Sequence, residues 1–145
     1  MADQQHLSRV DEFVDRLASL PFATWAEIGA GVSGDRDLLA RRATAHTLLD
    51  AILADRQLLV TAWYVRDAVD TAAFLASRTA ITPKSAQRRL FAAAHGAAEA
   101  AALALLAADH LARADRDVLC EPFAEYLPGP TEGAFAFIRV HSRLD

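Results

Sequence analysis

At 145 residues the chain has the size of one domain with a real core. A composition 53% hydrophobic and 23% charged excludes a disordered polymer. A net charge of −4 and a pI near 5.7 disfavour a polyanion as the main partner. The single cysteine, Cys120, excludes an internal disulfide and a cysteine-based zinc site.

Alanine makes up roughly a fifth of the chain while β-branched residues are sparse, a helix-forming balance. A first amphipathic helix is expected over 4–19, with Leu7, Val10, Val14, Leu17 and Ala18 on its apolar face. Asp3, Arg9, Asp11 and Glu12 interrupt any apolar run at the start, so no secretory leader is expected and the cytoplasm is the expected compartment. Pro21 stops this helix, and a connector follows with a short helix capped by Thr24. Phe22 and Trp25 are expected to anchor that connector, and Gly29, Gly31 and Gly34 to punctuate its end.

A second long helix is predicted from about Asp35 to Ala54, with Leu38, Ala45, Leu49 and Ile52 on its apolar face. Residues 57–77 form another, nearly apolar all round. Ala62, Val65, Val69, Ala72 and Ala76 make one seam of it, and Trp63, Arg66, Asp67, Asp70 and Phe74 lie together on a second face. Thr82 as N-cap and Pro83 at the first helical position then open a long alanine helix reaching Leu111. Its seam Leu90, Ala94, Ala97, Ala101, Ala104, Ala108 and Leu111 is narrow enough for close helix–helix approach. The stretch Leu90–Ala108 has the length of a membrane span, but His95, Glu99 and its alanine content mark it as a buried helix of a soluble protein. Asp115 caps a shorter helix bent near Pro122, and from about 128 an arm with Phe135, Phe137 and Ile138 packs on the bundle or on a partner subunit. The fold class is therefore all-α: a single-domain antiparallel bundle of about five to six helices with a central alanine-rich helix.

Two constellations carry chemistry. In His46/Asp50 and His95/Glu99 a histidine precedes a carboxylate by one helical turn, so each pair shares a helix face and forms a local hydrogen bond. Brought together across antiparallel helices, the four side chains would make a ligand set for a divalent metal. The known carboxylate-bridged bundles have the opposite order, Glu three residues before His. The second constellation is Trp63, Tyr64, Arg66, Asp67 and Asp70: Arg66 and Asp70 pair along the helix with Trp63 beside the guanidinium. Such residues line a small polar pocket or a subunit interface.

The run Thr82-Pro83-Lys84-Ser85, followed by Gln87-Arg88-Arg89-Leu90, resembles the recognition helix of arabinose-regulator-type helix-turn-helix proteins, over about one helix. Ala86 stands where that motif has leucine. The resemblance implies Lys84, Gln87 and Arg88 at DNA. No nucleophile with a base at defensible spacing is present, and the glycine cluster lacks the Lys-Ser/Thr of a phosphate loop.

The expected function is accordingly non-enzymatic, a cytosolic homo-oligomerising protein whose partner is a second copy of itself. The helix at 57–77 has two apolar faces, more than one layer of such a bundle covers. A metal- or small-ligand-binding bundle is the first alternative, and a DNA-binding regulator the second. No membrane partner is expected.

Overall fold

The computed structural model describes residues 2–52, 54, 56–78 and 84–128. Among them are six α-helices and no strand: α1 Ala2–Ala18, α2 Phe22–Gly34, α3 Arg36–Ile52, α4 Arg56–Ser77, α5 Ser85–Leu106 and α6 Arg113–Cys120. A 3-10 turn, Glu121–Tyr126, follows α6. The expected all-α bundle with an alanine-rich helix at its centre is what forms. The arm expected from about 128 lies, from residue 129 on, outside the described residues, as do Thr82 and Pro83.

Helix α5 packs against α1, α2, α3, α4 and α6. Its middle is made of methyl groups, so neighbouring backbones can approach from several sides. Ala94, Ala98, Ala101, Ala102 and Ala104 are fully buried. By length and hydropathy α5 would pass for a membrane span, yet its apolar residues from Ala97 to Leu106 are enclosed by helices of the same chain. The helix starts at Ser85 with Lys84 in the cap position, where the Lys84 N–H donates to Gln87 Oε1 at 3.0 Å. It stops at Leu106, short of the expected Leu111, where the chain turns through Ala107–His110.

The seam read from α4 is fully realised: Ala62, Val65, Val69, Ala72 and Ala76 are all buried. In α1, Val10, Val14 and Leu17 are buried as expected, joined by Phe13, which meets Phe123 edge-on at 5.7 Å between ring centres.

The connector departs from expectation. It is a continuous 13-residue helix, α2, with Pro21 rather than Thr24 at its cap. Gly29 and Gly31 lie inside it, while Gly34 is its last residue, as expected. Its buried residues, Phe22, Trp25, Gly29 and Val32, follow a three-four-three spacing that places them on one stripe facing α5. Phe22 stacks on Phe91 at 5.3 Å and Trp25 leans on the same ring at 5.8 Å. At Gly29 a Cβ would lie 1.6 Å from the carbonyl oxygen of Leu90, so only hydrogen fits where α2 crosses α5.

Candidate functional site

Helices α4 and α5 carry their charged groups one turn apart, Arg66 and Asp70 on one, His95 and Glu99 on the other. Both pairs satisfy the spacing for bonding along their own helix. In the structure they bond across instead. Arg66 Nε donates to Glu99 Oε1 at 2.9 Å, and His95 Nε2 meets Asp70 Oδ1 at 2.5 Å. Residue numbers rise along α4 as they fall along α5, so the two rungs fix α4 and α5 antiparallel. The reason is access: on a packed face the nearest polar partner is the one on the neighbouring helix, and Glu99, only 16% exposed, takes the guanidinium that reaches it. The local pairs His95/Glu99 and Arg66/Asp70 expected from sequence are therefore replaced by two cross-helix pairs.

Above these rungs α3 contributes His46 and Asp50. Together with Leu59, Ala62, Trp63, Arg66, Glu99 and Leu103 they line a cavity of about 390 Å³ between α3, α4 and α5. Leu59, Ala62 and Leu103 are its apolar lining. Trp63, 62% exposed, forms a wall. His46 is half-buried and Asp50 exposed. One turn before His46, Arg42 lies against Gly96 on α5, its Nη1 buried at 3.0 Å from where a Cβ would stand.

Of the four side chains read as a metal set, three reach one cavity, while His95 is turned to Asp70. Among the described residues no three His, Cys, Asp or Glu side chains come close enough to hold a metal ion. The second constellation divides as well. Trp63 and Arg66 face the α3 side, and Asp70 is taken by His95. Tyr64 and Asp67 border a groove between α4 and α1 with Val14, Asp15, Ala18, Thr71 and Leu75. The cation over a ring on α4 is Arg78, 5.9 Å from the centre of Phe74, rather than Arg66 on Trp63.

The large apolar residues that the sequence reading underweighted are Leu59, Val60 and Leu75. With Trp63, Tyr64 and Phe74 they are the exposed large hydrophobics of the described residues, and all six lie on α4. Their signal was present as an apolar run on both sides of the buried seam, but periodicity alone does not say which side a neighbour covers.

The only cysteine is inert. Burial pushes the Cys120 thiol up to about 12, and its Sγ points to the Ala101 carbonyl at 3.8 Å. At the start of α5, Lys84, Gln87, Arg88 and Arg89 are exposed, and from Ala94 onward nearly every residue is covered. A helix-turn-helix sets its two helices at about 90–120°, whereas α4 and α5 run antiparallel along two bonded rungs.

Compared with known protein families, curated proteins and solved structures, the chain matches none of them.

Proposed function

We propose that this chain acts as a homodimeric helical scaffold in the cytoplasm, with α4 as the contact between copies. One observation carries the reading: Leu59, Val60, Trp63, Tyr64, Phe74 and Leu75 are 43–70% exposed and share a single helix. Single exposed apolar residues are ordinary, but two apolar clusters at the two ends of one helix face, Leu59–Tyr64 and Phe74–Leu75, support an interaction site. An aromatic side chain offers about 150–250 Å², so these exposed fractions amount to roughly 700 Å² per copy, close to the roughly 800 Å² per partner of a stable interface.

The order of residues along α4 favours a second copy laid antiparallel. Val60 and Trp63 near one end and Phe74 near the other face away from the buried seam, with Asp67 and Thr71 between them. A parallel pair would set Asp67 against Asp67 of the second copy, at like-charge cost. An antiparallel pair sets Asp67 opposite a threonine, Trp63 opposite the Phe74 region, and Val60 near Arg78 of the second copy. The same patch on both copies satisfies the self-complementarity of a two-fold contact.

Light scattering tests the reading. At micromolar concentration the expected mass is twice the 15.7 kDa of the chain, and Trp63→Glu shifts it to one copy. A wild-type monomer whose melting temperature is independent of concentration would remove the proposal. Orientation has its own readout, because Cys120 is buried and added cysteines can be cross-linked selectively. Val60→Cys mixed with Arg78→Cys links across an antiparallel pair, while Val60→Cys alone links only across a parallel one.

A further inference from the structure

The cavity between α3, α4 and α5 shares Leu59 and Trp63 with the proposed dimer contact but has a chemistry of its own. Its lining carries two carboxylates, Asp50 and Glu99, against one guanidinium, Arg66. Arg66 is already engaged with Glu99 through Nε and Oε1. Asp50 and His46 have no hydrogen-bond partner among the described residues. Asp50 is therefore the lining carboxylate that no cation among the described residues pairs with. Beside them stand the face of an exposed indole, Trp63, and the aliphatic surface of Leu59, Ala62 and Leu103. An anion would meet the Asp50 carboxylate and an Arg66–Glu99 pair whose two charges already compensate each other. A bare metal ion would find too few ligands within reach. An ammonium group meets carboxylates and an aromatic face, the two surfaces that bind organic cations. A volume of about 390 Å³ lies within the range of small-molecule sites.

We infer that this cavity binds a small organic cation, an ammonium group on a short alkyl body, with the charge held between Asp50 and Glu99 and the alkyl chain laid over Trp63, Leu59 and Leu103. The site is assembled within a single chain and does not rest on dimerisation. Arg66 positions the Glu99 carboxylate, and the rung between Asp70 and His95 one turn further along α4 holds the two helices in register beneath it.

The probe is 1,5-diaminopentane, titrated into isotopically labelled protein and followed by amide and indole N–H shifts at constant ionic strength. Saturable shifts confined to residues 46–50, 59–66 and 99–103, including the Trp63 indole, are expected. 1,5-Pentanediol and glutarate, of equal length, should bind at least tenfold more weakly. Asp50 is exposed and its conversion to Asn leaves packing untouched, so Asp50→Asn should weaken the diamine about tenfold. Trp63→Leu should weaken it about fivefold with the fold intact by circular dichroism. Equal shifts from the diol, tighter binding of glutarate, or an unchanged affinity in Asp50→Asn would overturn the assignment. So would linear, unsaturated shifts spread over other acidic surfaces such as Asp35, Asp37 and Glu121. A monomeric protein that still binds the diamine would defeat the dimer while leaving this site standing.

Discussion

Replacing Gly29 by alanine tests the packing on which the whole bundle is built. The added Cβ would stand 1.6 Å from Leu90 O and 2.4 Å from Leu90 C, and reaching even a 3.0 Å contact requires the oxygen to retreat by 1.4 Å (3.0 minus 1.6). Both partners are helix backbone, so no side chain can swing aside and α2 and α5 must part as bodies. A gap of about 0.5–1 Å already forfeits a quarter to a half of each dispersion contact. The contacts at stake include Phe22 on Phe91 and Trp25 on Phe91. Overpacking of this kind costs about 3–5 kcal/mol, above the usual range because the clash is between backbones. Helix propensity returns about 1 kcal/mol, for a net loss of about 2–4 kcal/mol out of a total stability of about 5–15 kcal/mol. Two residues along the same helix, Gly31 has nothing within 4 Å of its Cβ position, so Gly31→Ala gains up to about 1 kcal/mol with no steric term. Urea unfolding followed by far-UV circular dichroism reads both variants. Opposite signs are expected. A Gly29→Ala protein as stable as wild type would refute the close crossing of α2 and α5 and, with it, the argument from small residues.

Other variants probe the remaining contacts. Arg66→Met removes the partner of a carboxylate that is 16% exposed, but Arg66 itself is 58% exposed and screened by water, so thermal unfolding should register a loss of about 1 kcal/mol at most. Cys120 should resist thiol reagents at pH 8 and react once urea unfolds the chain. Its folded pKa of about 12 lies above the ordinary 9.0. Between those values the unfolded chain therefore releases a proton the folded one keeps, and stability falls as pH rises, by up to about 1.4 kcal/mol per pH unit. Cys120→Ala should flatten that slope, and an unchanged slope would count against the buried thiol. Trp25 is fully buried with its Nε1 unpaired. Trp25→Phe therefore removes an unsatisfied donor while opening a small void, for a net change within about 1.5 kcal/mol by urea unfolding. The same variant leaves Trp63 as the sole tryptophan, whose emission should shift to the blue as concentration rises through the dimer range.

The bundle was legible because helical periodicity and alanine content act on every turn. The seam of α4 was legible residue by residue, and so was the middle of the α5 seam, Ala94, Ala97, Ala101 and Ala104, since a three-four repeat has one solution once the helix is granted. What failed to show was everything decided between helices. Gly29 looks like punctuation in one dimension and becomes a contact point only when Leu90, 61 residues away, is brought against it. His95 and Glu99 are a plausible local pair on their own helix, and so are Arg66 and Asp70. Which of the two arrangements forms depends on the register of α4 against α5, which no local pattern encodes. The meeting of His46 and Asp50 with Trp63 and Glu99 in one cavity was equally a matter of how three helices assemble. Thr82-Pro83 carries strong capping chemistry but lies outside the described residues, among which α5 begins at Ser85 with Lys84 at the cap.

The alanine core has an energetic consequence that bears on why α4 is apolar outside as well as inside. Burying a methyl group removes far less surface from water than burying a leucine or phenylalanine, at about 25 cal/mol per Å². Close approach recovers part of this through dispersion between backbones, but only where fit is tight, and the large fully buried side chains are few, led by Trp25, Phe13, Phe123, Leu17 and Leu127. Four of them lie on α1, α2 and the 3-10 turn after α6, and Leu127 follows that turn directly. Helix α4 itself has little hydrophobic weight inward: it presents alanine and valine to the core and keeps its aromatic residues outward. Covering that outer face would add the large-side-chain burial that the inner seam of α4 lacks, so the stability of the fold and the state of assembly become one equilibrium. Raising the protein concentration tenfold should then raise the melting temperature of wild type and leave that of Trp63→Glu where it was. A wild type that ignores concentration would show that the methyl-lined core suffices alone.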